Sequence, residues 1–307
     1  MSMRASGGLR LPLTVLGGFL GAGKTTLVNA LLRQAAGLRL AVLVNDFGSV
    51  NIDAALIAAV AGETIALTNG CICCAVGDDF AAGLAAVLAR RPAPDHVLVE
   101  ASGVADPGAI AAIAQLDPEL RLAGVLVLAD AASVAERLAD ARLADTLRRQ
   151  LRAADLLVLT KTDLVPTAAA EEAAALLRPL APGATLMRAV HGMLPMEVAL
   201  GQHAGGDHAP PPRAAHGASF ASVTLRPARP LPVAALRAAL DALPEGVLRA
   251  KGVLPLAEGP RVLVQRVGRR LELTPEAAPA EPVLVLIGTE AVWDAAEALR
   301  PLGLARG

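Results

Sequence analysis

Residues 13–35 read Leu-Thr-Val-Leu-Gly-Gly-Phe-Leu-Gly-Ala-Gly-Lys-Thr-Thr-Leu-Val-Asn-Ala-Leu-Leu-Arg-Gln-Ala, and the order of features within them decides the fold. A short apolar run is followed by a glycine-rich turn and then by apolar residues at helical spacing. Gly18-Phe19-Leu20-Gly21-Ala22-Gly23-Lys24-Thr25 fits the phosphate-loop pattern of Gly, four residues, Gly, Lys, Ser/Thr. Glycines let the backbone wrap closely enough for its N–H groups to face an anion, and the positive end of the following helix favours negative charge. Such a loop assigns Gly18, Gly21, Ala22, Gly23, Lys24, Thr25 and Thr26 to nucleotide binding. Lys24 then bridges the outer phosphates and the Thr25 hydroxyl ligates magnesium. The bland alternative is a strand-to-helix turn with a chance Lys-Thr.

Outward from this stretch, apolar runs at 40–44, 64–67, 96–99, 124–128, 156–160 and 185–190 alternate with helical patterns such as 24–35, 80–90 and 168–180. The alternation predicts an α/β domain, a mostly parallel sheet with helices on both faces. At 307 residues the chain exceeds the size at which one core usually stops growing, so two domains are expected. The first is placed at 1–200. Residues 201–217, with Gly-Gly, a Pro-Pro-Pro run and His203, His208 and His216, read as a flexible linker. Beyond it, strands are expected at 219–226, 247–256, 262–273 and 283–287 and helices at 232–243 and 290–299. That order suggests a small α+β domain over 218–307.

Hydrophobic residues make up 54% of the chain but aromatics only 2%, with no Tyr and one Trp, so the core must be built from Ala, Val, Leu and Ile. A net charge of -1 without long charged runs argues against nucleic acid or an anionic membrane as partner. No stretch approaches the roughly 18 uninterrupted apolar residues of a membrane span. Residues 1–23 have the rough outline of a secretory signal, but Pro12 and the glycines break its apolar run. All three cysteines fall within four residues and cannot form a spaced disulfide framework, which suits a cytoplasmic location.

Three further motifs carry chemistry. Val97-Leu98-Val99-Glu100-Ala101-Ser102-Gly103 is an apolar strand ending in a carboxylate, where such folds place the acid that faces magnesium and its waters. Glu100 is the candidate acid, beside the catalytic candidates Lys24 and Thr25, and the Gly103 N–H is a candidate sensor of the terminal phosphate. Thr160-Lys161-Thr162-Asp163 resembles the Asn-Lys-x-Asp base-reading motif of GTPases. A carboxylate at Asp163 can accept from guanine N1–H and its exocyclic amine, a donor pair adenine lacks, while Lys161 lays its stem over the base. The alternative is a capped helix start with Thr162 or Asp163 as N-cap. Cys71-Ile72-Cys73-Cys74 can supply two or three sulfurs to one zinc, cobalt or copper(I) ion, with Asp46 as a weaker oxygen candidate. Which cysteine pair ligates stays open, as do redox and structural readings.

Taken together, Gly17–Thr26, Asn45-Asp46-Phe47-Gly48, Cys71-Ile72-Cys73-Cys74, Glu100-Ala101-Ser102-Gly103 and Thr160-Lys161-Thr162-Asp163 resemble the CobW family of metal-chaperone GTPases. Leu248-Arg249-Ala250-Lys251-Gly252 and Val264-Gln265-Arg266-Val267-Gly268 extend the resemblance into the family's C-terminal domain. The resemblance implies that GTP and magnesium shape a zinc or cobalt site at Cys71, Cys73 and Cys74. It implies that hydrolysis, slow without a partner, releases the ion to a client metalloprotein or cofactor-biosynthesis enzyme. A nucleotide-dependent homodimer is a further partner state to consider. Three departures stand out: Asp46 where the family usually has Glu, Thr160 where it has Asn, and scattered histidines in place of a long His tract. The Thr160 departure puts one supporting hydrogen bond in doubt.

Overall fold

The computed structural model describes residues 10–35, 37–45, 64–67, 78–189, 193–201, 220–277 and 281–306. They group into two compact units, one within Leu11–Asp207 and one within His208–Gly307, to which Arg10 is also assigned. Apart from Gly201, the expected linker lies outside the described residues, and so do its three histidines.

In the first unit, seven strands line up in the order β3-β2-β4-β1-β5-β6-β7, every one parallel to its neighbours. They are β1 (Leu11–Gly18), β2 (Leu40–Asn45), β3 (Thr64–Leu67), β4 (His96–Glu100), β5 (Leu120–Asp130), β6 (Leu156–Thr160) and β7 (Thr185–Arg188). The helices are α1 (Lys24–Gln34), α2 (Asp78–Ala89), α3 (Pro107–Leu116), α4 (Val134–Ala139), α5 (Ala141–Arg152), α6 (Thr167–Leu177) and α7 (Met196–Leu200). Each apolar run that the sequence marks as a strand is one. β1 and β5 are longer than their apolar runs, and β7 stops two residues earlier than expected.

Parallel strands covered on both faces must be apolar on both, and β1 is buried at every position. Leu13, Val15, Val97, Val99, Val125, Val127 and Leu157 share one face, packed with Phe80, Ile110, Leu151 and Leu177 from α2, α3, α5 and α6. Leu16, Leu98, Leu126 and Val158 alternate to the other face. There α1, with Leu27, Val28 and Leu31 buried, packs against β1 and β4. Helix α3 starts where it does because Asp106 caps it, accepting the Gly108 N–H at 2.8 Å, with Pro107 in the first turn. This fixes the far end of the β4–α3 loop that carries Ser102 and Gly103.

The second unit is a six-stranded antiparallel sheet in the order β11-β10-β9-β12-β8-β13. Its strands are β8 (Ala221–Pro227), β9 (Val247–Leu254), β10 (Val262–Val267), β11 (Arg270–Pro275), β12 (Val283–Gly288) and β13 (Leu304–Arg306), with helices α8 (Val233–Asp241) and α9 (Ala291–Leu299). Leu236 and Leu240 of α8 and Val292 and Leu299 of α9 pack on Leu225, Val264, Leu284 and Leu286. The single strand expected over 262–273 is in fact a hairpin. Val267 pairs with Arg270 across a two-residue turn whose Gly268 has φ 54, and one glycine between two apolar-containing arms is a weak turn signal. Arg266, 3% exposed, donates to the carbonyls of Val247 at 2.7 Å and Leu243 at 3.2 Å, which satisfies part of a guanidinium that burial pushes below its usual pKa. Trp293 of α9 lies half-exposed with the Arg306 guanidinium 4.8 Å from its ring centre. No described helix is long and apolar enough to cross a membrane.

Candidate nucleotide site

At the C-terminal end of β1 the chain turns through Gly18–Gly23 into α1. Gly18, Gly21 and Gly23 all have positive φ, from 75 to 130, which L-residues rarely adopt, so the loop has its shape because of where its glycines fall. Lys24 is buried at the first turn of α1, and its ammonium donates to the carbonyls of Gly18 at 2.8 Å and Phe19 at 3.2 Å. The positive charge therefore sits inside the loop. Arg137 of α4 holds the loop from outside, donating to the Leu20 carbonyl at 2.6 Å with its guanidinium 5.0 Å from the Phe19 ring centre.

A cleft of about 380 Å³ opens beside the loop, lined by Leu20, Gly21, Gly23–Thr26, Val44, Glu100–Gly103 and Lys161. It brings together most of the described residues that the motifs single out, from four separate parts of the chain. Strand β4 pairs with β1 so that Leu16 faces Glu100, and this register delivers the carboxylate to the helix start. The Thr25 hydroxyl donates to Glu100 Oε1 at 3.1 Å, and Glu100 is 2% exposed. A hydroxyl and a carboxylate side by side are hard oxygen donors of the kind magnesium takes, so these residues fit that ion. Gly103 lies against the loop: a Cβ there would come within 2.7 Å of the Leu20 backbone nitrogen, which leaves no room for a side chain.

On the other flank, Thr160 ends β6 and its hydroxyl lies 2.8 Å from the Ala22 carbonyl and 3.2 Å from that of Ala129. The Thr160 side chain thus ties the end of β6 to the phosphate loop. Replacing Thr160 by Val keeps the shape but leaves the buried carbonyl of Ala22 without this donor. The expected loss of stability is about 1–3 kcal/mol, read as a lower urea midpoint by circular dichroism. An unchanged midpoint would show that the tether contributes nothing.

Lys161 follows in the left-handed region at φ 57, and its ammonium pairs with Asp130 at the end of β5, at 2.8 Å. Burial pushes the Asp130 carboxyl up, yet the Lys161 ammonium and the Ala132 N–H together hold it below the usual carboxylate range. The pair is therefore intact above the ordinary carboxylate pKa and is lost only as pH falls through the lower folded value. Lys161, not Thr162 or Asp163, occupies the N-cap of the 3-10 turn Thr162–Leu164, so the helix-capping alternative for Asp163 does not hold. Asp163 itself is exposed, two residues beyond Lys161. Gly18, Ala22, Thr160 and Asp163 stand outside the cleft lining. The first three shape the loop from behind.

Asp46, Cys71, Cys73 and Cys74 lie outside the described residues. The strands that lead to them are β2 and β3, whose last residues, Asn45 and Leu67, are register partners. Sequence reasoning gave no role to Asp130, Arg137 or Gln150. Asp130 had a visible signal, a carboxylate closing an apolar strand as Glu100 does, whereas Arg137 and Gln150 look like ordinary helix residues until the chain folds.

A parallel sheet with a glycine loop, a buried lysine and a strand-end carboxylate at one end defines a P-loop nucleotide-binding protein. The model of the CobW/HypB/UreG nucleotide-binding domain matches residues 12–188, and that of the cobalamin synthesis protein cobW C-terminal domain matches residues 220–300. The chain belongs to the CobW family of P-loop GTPases. It is 32% identical to a zinc chaperone CobW of Pseudomonas aeruginosa over 92% of this chain and 88% of that one. It is 37% identical to a zinc chaperone CobW of Sinorhizobium over 51% of this chain, which spans about half (52%) of that relative's length. The solved structure of Zn(II)-bound YjiA GTPase from E. coli aligns over 96% of this chain and 99% of that one at 22% identity, with a TM-score of 0.48.

Proposed function

We propose that the chain is a GTP-hydrolysing metallochaperone that holds a zinc or cobalt ion at Cys71, Cys73 and Cys74 and delivers it to a client protein in the cytoplasm. The observation that carries the reading is the pairing of Asn45 with Leu67 at the end of the sheet where the phosphate loop turns. Asp46 is the next residue after Asn45, and Cys71 is four residues after Leu67, a reach of at most about 14 Å. Chain connectivity alone therefore bounds only how far Cys71 can lie from the end of β3, and the gathering of Asp46, Cys73 and Cys74 around the same ion is part of the proposal. Lys24 and the loop N–H groups bind the phosphates, Thr25 and Glu100 hold magnesium and its waters, and Gly103 senses the terminal phosphate. Thr160, Lys161 and Asp163 receive the guanine. Magnesium supplies charge stabilisation when bound, and the residues of this chain orient the phosphates and exclude bulk water.

Coupling between nucleotide and metal is part of the same proposal. Binding of GTP draws the loops after β2, β3 and β4 into one arrangement, and loss of the terminal phosphate relaxes it. By reciprocity the metal must change GTP affinity by the same factor, typically about 5- to 150-fold. The test is metal affinity by chelator competition, with zinc and with cobalt(II), in a magnesium–GTP analogue and in magnesium–GDP, beside Cys73→Ala. Tighter binding with the GTP analogue that the substitution abolishes is the expected result. Affinity indifferent to nucleotide would make the thiolate site structural and the protein a regulatory GTPase.

A further inference from the structure

Ser102 is 6% exposed and lines the cleft with Lys24, Thr25 and Glu100, yet its Oγ has no hydrogen-bond partner among the described residues. A buried hydroxyl left unpaired is destabilising, and a fold that keeps one needs a reason to do so. The backbone around it is held from several directions. The Ala101 N–H donates to the Leu16 carbonyl at 2.9 Å, and the Ala105 N–H donates to the Ser102 carbonyl at 3.0 Å. Gln150 of α5, 1% exposed, spends its amide on the carbonyls of Gly103 at 3.1 Å and Ala105 at 2.9 Å. Gly103 is seated against Leu20, so the turn cannot move closer to the phosphate loop without displacing it. Only the Ser102 side-chain torsion is left to adjust. The hydroxyl is thus a preorganised, unspent donor and acceptor beside the charged groups of the site.

We propose that Ser102 is a catalytic residue of GTP hydrolysis, its oxygen accepting a hydrogen bond from the attacking water while its proton is donated to a terminal-phosphate oxygen. This rests on the reading of the cleft as a GTP site. The water oxygen bonds to the γ phosphorus, and the bond from phosphorus to the β–γ bridging oxygen breaks, its electron pair leaving on GDP. Both protons of the water depart with the phosphate, so Ser102 orients the reactants and exchanges no net proton. Gln150 acts through the turn and is a positioning residue.

The test compares the full chain with Ser102→Ala and Ser102→Thr by thermal midpoint without nucleotide, by affinity for GDP and a non-hydrolysable GTP analogue, and by steady-state GTP turnover. For Ser102→Ala the expected result is a midpoint equal to or above wild type, GDP affinity within about twofold, and kcat lower by about 10²-fold, the usual effect of losing one preorganised group. Ser102→Thr, which keeps the hydroxyl, should recover most of the rate. A structural role would lower the midpoint and weaken both nucleotides alike, and that pattern overturns the proposal. So does wild-type turnover in Ser102→Ala, or a Thr variant that melts like wild type but is as slow as Ala. If Thr melts lower, the Ala comparison decides alone. A wild-type chain that neither binds the GTP analogue nor hydrolyses GTP removes the GTP reading itself, whatever the variants do.

Discussion

Replacing Lys24 by alanine is expected to lower GTP turnover by at least about 10³-fold, because the charge it removes serves both phosphate binding and the transition state. In the folded chain the ammonium is buried and directed at the carbonyls of Gly18 and Phe19, within the curve of the loop. Phosphate oxygens entering that curve exchange a neutral partner for an ionised one, which shortens and strengthens the bond. Alanine leaves the backbone N–H groups and the end of α1 in place, so some affinity survives while the rate collapses. Arginine is not expected to substitute, since its planar fork needs more room than the loop gives. Single-turnover phosphate release with saturating GTP separates the two effects. A loss under about tenfold would take Lys24 out of the phosphate site.

Asp163→Asn is expected to weaken GTP and GDP by at least about 10²-fold and to improve xanthine nucleotides. Guanine presents two adjacent donors, and a carboxylate accepts both; an amide accepts one and opposes its own N–H to the other. Xanthine carries a carbonyl where guanine has the amine, so the amide suits it. Lys161 is held independently of Asp163, with its ammonium tied to Asp130 and its backbone in the left-handed region, so the substitution is expected to change recognition and leave that pair in place. Competition of GDP and XDP for a fluorescent nucleotide gives both affinities. Equal loss of both would mean that Asp163 supports the fold of the 162–164 turn and does not read the base.

What the sequence announces is whatever depends on neighbours along the chain. The phosphate loop is one contiguous stretch with its glycines at fixed offsets, and the seven strands are apolar runs bounded by turn residues, so both are legible. The Val262–Pro275 hairpin is not, because apolar residues continue on both sides of the reversal and a single glycine marks it. Contacts across the fold are also invisible beforehand. Gln150 reaches a turn 45 residues earlier, and Arg137 a carbonyl 117 residues earlier. The contact that Thr160 makes in place of Asn is equally hidden: its hydroxyl reaches the Ala22 carbonyl, 138 residues earlier.

Trp293 is the chain's one tryptophan, there is no tyrosine, and it sits in the second unit under Arg306. Emission excited in the indole band thus comes from α9 alone, and the unit that carries the phosphate loop is optically silent. A nucleotide or metal titration followed by intrinsic fluorescence therefore reports on the surroundings of Trp293 in the second unit, and a direct binding signal from the first unit needs a label or an introduced tryptophan.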